Sequence, residues 1–376
     1  MIQEANPKSR KHLTKSKLMV SAIQKPLPPG STIGILGGGQ LGRMLSLAAS
    51  RLGFQCHIYD PEWAGPAAKV SRFESNTSYE NIEAVLSFAQ ACDVVTYEFE
   101  NVPSLTAKTA ANARSLHPNA NVLNIAQDRF SEKTFIRDKA KVPVAAFEPV
   151  NSVHDLKRAT KKLGLPAVLK TRRFGYDGKG QSIIKSENDI PVAWDVMKGA
   201  PAILEAFIPF KREVSVIAAR SFTGETAAYP LIENVHQNHI LHKSLAPAEN
   251  DDGRAQGLAV QIMSALDYVG VMATEFFELE DGTLLVNEIA PRVHNSGHWT
   301  QDAGCIDQFE LHIRAICGWP LGDTSPKSKM EMTNLIGEDI SHWESLAQEP
   351  KTFLHLYGKR DIKPGRKMGH VNRIIG

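Results

Sequence analysis

A short apolar run, Thr32–Leu36 (TIGIL), leads straight into a glycine-rich turn, Gly37–Gly42 (GGGQLG), and then into an amphipathic stretch. A buried strand that turns sharply into a helix satisfies that succession, and it commits the start of the chain to an α/β layer. Arg43–Leu52 carries apolar residues at 44, 45, 47, 48 and 52, a helical rhythm that Gly53 stops. Phe54–Tyr59 reads as the next strand, ending at Asp60 and Pro61, and a helix over 82–91 with a strand over 93–97 extends the unit into a parallel sheet. The turn matches GxGxxG, with Asp60 near where a ribose-binding acid would fall, so taken alone it points to a dinucleotide. Its physical content is narrower. Glycines let backbone N–H groups approach an anion, the helix start favours negative charge, and any phosphate would do, as would a tight turn with no ligand.

The chain has 376 residues, more than one compact core takes, so two or three domains are expected. Its 42% hydrophobic and 22% charged residues are ordinary for a soluble protein, and a net charge of +2 gives no global field for nucleic acid. No run reaches the ~20 apolar residues of a membrane span. The four cysteines, Cys56, Cys92, Cys305 and Cys317, form no CxxC pair, which argues against a zinc ribbon or redox motif and fits a reducing cytoplasm. Residues 1–30 are basic early and close on Pro26, Pro28, Pro29 and Gly30 with no apolar signal-peptide core. They read as a disordered extension, and Met19 could be the true start.

Further along, helices are expected over 128–139, 153–163, 254–266 and 309–316, and strands over 167–170, 182–185, 202–205, 214–220 and 226–231. Strands 273–278 and 284–288 should pair around the turn Glu280-Asp281-Gly282. A second glycine loop, Arg172–Gln181 (RRFGYDGKGQ), lies between two strands and is not a P-loop. It can close over a polyphosphate and exclude water, or it is a mobile solvent loop. Lys170, just before it, would add a point charge. Glu275 and Glu288 sit among strand residues and can share one sheet face if their strands pair. Paired acids there suit Mg²⁺ bridging phosphates, unless they only solubilise an edge. Asn287 could add an oxygen only if a backbone irregularity turned it inward. The stretch 291–300 (PRVHNSGHWT) follows at once, and such dense polar chemistry at a strand end marks a site; without an HExxH context it does not signal zinc. The basic segment 357–367 is a solvated loop or an anion clamp.

These motifs in this order resemble the ATP-grasp superfamily, and within it the N5-carboxyaminoimidazole ribonucleotide synthases. The resemblance rests on GGGQLGRM (37–44), QDR (127–129), VLK (168–170), FGYDGKGQ (174–181), LEAFI (204–208), REVSV (212–216), NVHQ (234–237), NEIAPRVHNSGHWT (287–300) and PGRKMGHVN (364–372). It implies an α/β and α+β architecture, an ATP-grasp fold with an N-terminal Rossmann-like pre-grasp domain. That domain would span 31–128, a small lid 129–207, and a C-terminal grasp domain with a metal-binding sheet 208–376.

The implied activity is ATP- and bicarbonate-dependent carboxylation of 5-aminoimidazole ribonucleotide, through carboxyphosphate, in purine biosynthesis. The implied partners are these small molecules and a second copy in a homodimer. ATP would meet Arg129, Lys170, Gly175, Tyr176, Asp177, Gly178, Lys179, Gly180, Gln181, Glu205, Ala206, Phe207, Ile208, Glu213, His236, Asn287 and Glu288. Glu275 and Glu288 would hold Mg²⁺, or Mn²⁺. The substrate's 5′-phosphate would lie against Gly39, Gln40 and Leu41, with Lys359 and Arg366 assisting. Tyr176, Asp177 and Lys179 would shield the reaction, and Arg292, His294 and Asn295 would line the carboxylation pocket, with His294 handling a proton.

A formate-activating ATP-grasp ligase is the nearest rival, and RVHNSGHWT argues against it. A nicotinamide dehydrogenase leaves the second glycine loop and the acidic pair unexplained, and a catalytically dead nucleotide-binding regulator sits poorly with intact Lys170, Glu275 and Glu288. Relatives usually begin near the glycine strand and continue past GHVN into a terminal helix, whereas this chain carries a basic leader and stops at Gly376.

Overall fold

The computed structural model describes residues 25–175 and 178–376. The first unit comprises β1 (Thr32–Leu36), α1 (Gln40–Arg51), β2 (Gln55–Tyr59), β3 (Phe73–Ser75), α2 (Ile82–Gln90), β4 (Val94–Tyr97), α3 (Ser104–Ala113) and α4 (Ala120–Ala126). Its strands run parallel in the order β3-β2-β1-β4. β1 is central and covered on both faces, which is why Ile33, Ile35 and Leu36 form an apolar run without alternation. The turn after β1 needs its first glycine: Gly37 has φ +111°, and a Cβ there would lie 2.4 Å from Glu98 Cγ.

Next come α5 (Arg129–Asp138), β5 (Phe147–Val150), α6 (Val153–Leu163), β6 (Ala167–Thr171), β7 (Gln181–Ile184), α7 (Ile190–Met197) and β8 (Ala202–Ala206). The four strands are antiparallel in the order β5-β8-β6-β7. α6 starts on Ser152, whose hydroxyl accepts from Asp155 N at 3.0 Å, and ends on Gly164 at φ +80°. Val150, Leu156, Leu169, Ile184 and Leu204 form a core of their own. Within the range 129–207 expected for the lid, α5 contributes no residue to this core. α5 buries Ile136, with Ala140 and Val142 behind it, in the core of the third unit.

The third unit holds β9 (Arg212–Arg220), β10 (Thr226–Ala228), β11 (Ile232–Gln237), β12 (Ile240–Ala246), α8 (Arg254–Ala265), β13 (Gly270–Glu278), β14 (Leu284–Ala290), α9 (Gln308–Cys317), β15 (Met330–Ile336), α10 (Trp343–Gln348), β16 (Thr352–Leu356) and β17 (Lys367–Ile374). One sheet runs β14-β13-β9-β11-β12-β15-β17-β16, with β10 beside β9. The last three strands thus continue the metal-candidate sheet, and the basic segment 357–367 links two of them.

A single apolar cluster joins Ile33, Met44 and Leu45 of the first unit to Trp299, Phe309 and Leu311 of the third, and Arg51 ion-pairs with Asp307 beside it. First and third units therefore form one block, against which the lid is set with its separate core. Residues 25–30, placed in the expected extension, are tied to that block: Leu27 N donates to Cys317 O at 2.9 Å, and Trp319 Nε1 donates to Leu27 O at 2.8 Å. The rest of the extension, including Met19, lies outside the described residues. No described helix is long and apolar enough to cross a membrane.

Candidate functional site

The hairpin β13–β14 sets Glu275 directly opposite Glu288. One step further Phe276 faces Val286, so Asn287 is the extra residue of a β-bulge. That is the irregularity required to turn Asn287 out of strict alternation. Its Oδ1 is buried and has no hydrogen-bond partner among the described residues. Glu288 ion-pairs with Arg129 through Nη1 at 2.5 Å, and Glu275 Oε1 lies 3.2 Å from His294 Nε2. Burial alone would raise the Glu288 carboxyl, but the Arg129 guanidinium outweighs it and holds the group below the usual carboxylate range.

Glu205, at the end of β8, is gripped from two sides, by Lys170 at 2.9 Å and Lys133 at 3.5 Å. Burial works against its ionised form, yet Lys133 and Lys170 prevail and hold it at about 2. Lys133 also donates to the carbonyl of Asn287 at 2.8 Å, so one ammonium joins the lid strand to the bulge. Neither Lys133 nor the neighbouring Glu132 was expected at the site. The available signal was positional. Arg129, Glu132, Lys133 and Ile136 occupy the i, i+3, i+4, i+7 stripe of α5, and charge on a stripe that faces a core demands partners. Glu132 Oε1 accepts from Ile289 N at 3.3 Å, and burial together with the nearby Glu288 charge pushes its carboxyl well up.

The second glycine loop reaches back to the same place. Arg129 Nη2 donates to Gly175 O at 3.4 Å, Thr171 N donates to Gly180 O at 2.8 Å, and Gln181 pairs with Lys170 across β6–β7. Gly180 has φ +71°, and a Cβ on it would lie 2.6 Å from Thr171 Oγ1, so the turn holding Lys179 needs that glycine. Gly178 packs on the His239 ring at the tip of the β11–β12 hairpin, which brings the lid loop against the third unit. Tyr176 and Asp177 lie outside the described residues.

Ala206, Phe207 and Ile208, expected to meet ATP, lie at and just after the end of β8. Ala206 N donates to Ala146 O at 2.8 Å, Phe207 is exposed, and Ile208 O accepts from Phe210 N at 2.9 Å. Glu213 Oε1 lies 3.2 Å from His236 Nδ1. Burial disfavours the imidazolium, but the Glu213 carboxylate more than compensates and raises His236.

At the first glycine loop the expectation for Gly39 meets a competitor. Gly39 N donates to Glu98 Oε1, Gly42 N to Glu98 Oε2 at 2.6 Å, and Gly38 N to Asp60 Oδ2 at 2.6 Å. Two side-chain carboxylates already serve those donors, so Gly39 cannot also give its N–H to a phosphate in this arrangement. The backbone N–H groups of Gln40 and Leu41 have no hydrogen-bond partner among the described residues. Asp60 accepts from Gly38 N and, at 2.7 Å, from Glu62 N, so its carboxylate is held by its own loop. Burial raises the Glu98 carboxyl, against the pull of the Gly42 and Gly39 N–H groups. Lys359 Nζ donates to Gln40 Oε1 and, at 2.6 Å, to Lys367 O, so the C-terminal segment closes onto the glycine turn. Arg366 is half-buried beside it and donates to Asp361 O at 3.0 Å.

Arg292 holds Glu100 through Nε and through Nη2 at 3.2 Å, tying the first unit to the end of β14. Burial opposes the Glu100 charge, but Arg292 holds its carboxyl at about 2. Asn295 is buried, and neither its Oδ1 nor its Nδ2 has a hydrogen-bond partner among the described residues. A cleft between the three units is lined by Glu100, Arg129, Glu132, Arg172, Gly175 and Glu288, among others.

Residues 31–127 match the family model of the ribonucleotide synthetase preATP-grasp domain, residues 136–309 that of the ATP-grasp domain, and residues 331–375 that of the phosphoribosylaminoimidazole carboxylase C-terminal domain. The N5-carboxyaminoimidazole ribonucleotide synthase of Brucella melitensis is 48% identical over 353 residues, covering 93% of this chain and 97% of that protein. A crystal structure of an N5-carboxyaminoimidazole ribonucleotide synthetase in complex with ADP superposes with a TM-score of 0.90 at 43% identity, over 94% of each chain. The Aspergillus clavatus N5-carboxyaminoimidazole synthase, solved with ADP and 5-aminoimidazole ribonucleotide, gives 0.86 at 34% identity, over 92% of this chain and 94% of that one.

Proposed function

This chain belongs to the N5-carboxyaminoimidazole ribonucleotide synthase family of ATP-grasp enzymes, and from that premise we propose how its own residues divide the work. It is a ligase that uses ATP to convert 5-aminoimidazole ribonucleotide to N5-carboxyaminoimidazole ribonucleotide in purine biosynthesis. The one-carbon donor is bicarbonate. Its carbonyl is a poor electrophile, so an oxygen of bicarbonate attacks the γ-phosphorus of ATP, ADP leaves, and carboxyphosphate forms. The exocyclic amine of the ribonucleotide then bonds to the carboxyl carbon, the C–O bond to phosphate breaks with its electrons on the phosphate, and that departing phosphate takes the proton the amine gives up. Positioning and charge neutralisation carry most of such a reaction.

The observation that carries this division is the register of Glu275 against Glu288, with Asn287 bulged between them. The donor set is two carboxylates and an orphaned amide oxygen, all hard oxygen ligands that fit Mg²⁺ or Mn²⁺. Among the described residues no cluster of three or more His, Cys, Asp or Glu could hold a metal alone. Such an ion, when bound, offsets charge on the β- and γ-phosphates. Arg129 and Lys170 add fixed positive charge beside it. Glu205 to Ile208 hold the adenine side, Glu213 and His236 the nucleotide ribose, and the loop from Gly175 to Gln181, with Tyr176, Asp177 and Lys179, excludes water. Arg292 and Asn295 receive the bicarbonate-derived group. Four free cysteines suit a cytoplasmic enzyme, and a homodimer is the assembly proposed from the resemblance.

Phosphate release from Mg-ATP, with bicarbonate and the ribonucleotide each omitted in turn, tests the reading. Release should collapse without bicarbonate, and release that responds to formate instead would sink it.

The 5′-phosphate should rest on the Gln40 and Leu41 N–H groups and on Lys359 and Arg366. Burial, with Arg366 close by, lowers the Lys359 ammonium to about 8. A lowered amine is cationic below its pKa and neutral above it, so capture of the phosphate is present below pH 8 and fades as pH rises through it. A charge-assisted hydrogen bond contributes about 1.5–3 kcal/mol, so kcat/KM for the ribonucleotide should fall roughly tenfold or more on that alkaline limb. Lys359→Arg should flatten the limb, because guanidinium stays charged. An unchanged limb in Lys359→Arg would remove Lys359 from phosphate binding.

A further inference from the structure

Beneath the candidate metal strands runs a line of small polar side chains that the reaction itself does not call for. Ser244 on β12 donates its hydroxyl proton to Asn234 Oδ1 at 2.8 Å, and Asn234 Nδ2 on β11 donates to Ser215 Oγ at 2.8 Å. Ser215 on β9 donates to Ser296 Oγ at 2.9 Å, and Ser296 Oγ lies 2.9 Å from His294 Nδ1. The line ends where His294 Nε2 meets Glu275 Oε1 at 3.2 Å. The three serines are fully buried and Asn234 nearly so, so water does not compete for these groups.

Such a line has a direction. The Asn234 amide nitrogen can only donate, so Ser215 accepts from it and must place its single proton on Ser296. Ser296 accepts that bond and has one proton left, which goes to His294 Nδ1. A second observation reaches the same end independently of any hydroxyl rotor: the backbone N–H of Ser296 also donates to His294 Nδ1, at 3.3 Å. A backbone N–H cannot accept. Both donors require a lone pair on Nδ1, and the ring proton then sits on Nε2, facing the carboxylate.

We infer that Ser215 and Ser296 are positioning residues that fix His294 as the Nε2–H tautomer, a one-way hydrogen-bond donor to Glu275. The assignment corrects the expectation that His294 handles a proton during carboxylation. Nδ1 is occupied by two donors, and Nε2 already carries the proton it would need to accept. His294 instead orients Glu275, as imidazoles and carboxylates around a metal orient one another. This deepens the reading of Glu275 as a cation ligand and rests on it for its consequence, though not for the tautomer itself.

The test is nitrogen NMR on protein labelled with ¹⁵N-histidine, with the His294 signals identified by their loss in His294→Gln. The wild-type protein should show the proton on Nε2 and an unprotonated Nδ1. A proton on Nδ1 overturns the inference, and this measurement needs no variant to fold beyond the one used for assignment. Ser296→Ala, which keeps only the longer backbone donor on Nδ1, should raise the share of the Nδ1–H tautomer above that of the wild type and weaken Mn²⁺ binding, counted from the free-ion electron paramagnetic resonance signal, by about tenfold. Wild-type tautomer ratio together with wild-type Mn²⁺ affinity in Ser296→Ala also overturns it. If the wild-type protein fails to bind Mn²⁺ at all, the metal reading of Glu275 falls, and the tautomer is then decided by the nitrogen spectrum alone.

Discussion

Glu288→Gln is expected to lower bicarbonate-dependent ATP turnover by about 10²–10³-fold, the scale seen when one stabilising group is taken from a reacting charge. The fold should survive, because the amide oxygen of the substituted side chain can still accept from Arg129 Nη1. Glu132, whose carboxyl the Glu288 charge helps to push up, is relieved by the change. What the substitution removes is the negative charge that faces Glu275 across the hairpin. A divalent ion then keeps one carboxylate and two neutral amides, too little charge to hold it against water at ordinary concentrations. Free-ion Mn²⁺ measurements should show the loss directly, apart from catalysis. Near-normal turnover with near-normal Mn²⁺ binding would take Glu288 out of the metal site.

The acidic pair was legible because a hairpin register is local. The Glu280–Gly282 turn fixes which residues of β13 and β14 face each other, and side-chain alternation does the rest. The bulge at Asn287 was legible only as a condition, since nothing in the local residue types forces an extra residue there. The strand–turn–helix at Gly37 was likewise local. What serves its N–H groups was not, because Glu98 reaches Gly39 from the far end of β4. β17 escaped notice for another reason. Its buried face carries His370 and Asn372, polar residues that look solvent-facing in a sequence. They are buried because Asn372 Nδ2 donates to His298 O at 3.0 Å and His370 Nδ1 meets the Tyr357 hydroxyl at 2.9 Å. Partners so distant along the chain leave no periodic trace. The same holds for the serine line under Glu275, which crosses β12, β11 and β9 before reaching Ser296.

Lys133→Met should be the most destabilising single substitution near the site, by roughly 3–5 kcal/mol, the cost of breaking a buried ion pair from one side. Lys133 is about 1% exposed and Glu205 about 3%, so the stranded carboxylate cannot turn to water. Lys170 remains 2.9 Å away, but it must then carry Glu205 alone. The Asn287 carbonyl loses its 2.8 Å donor as well, which loosens the bulge, so the KM for ATP should rise along with the loss of stability. Glu205 is held at about 2, below the ordinary carboxylate range, against burial and by Lys133 and Lys170. A lowered acid stabilises the fold above its unfolded pKa, near 4.3 for Glu, and that stabilisation is lost as pH falls towards 2. Without Lys133 the folded pKa moves up, so acid unfolding should begin at higher pH in the variant. Lys133→Met combined with Glu205→Gln should regain much of the stability, since removing both charges spares the desolvation of either. It should not regain ATP affinity, because the bulge still lacks its donor. A thermal midpoint for Lys133→Met within about a degree of the wild type would show that this ammonium holds neither partner.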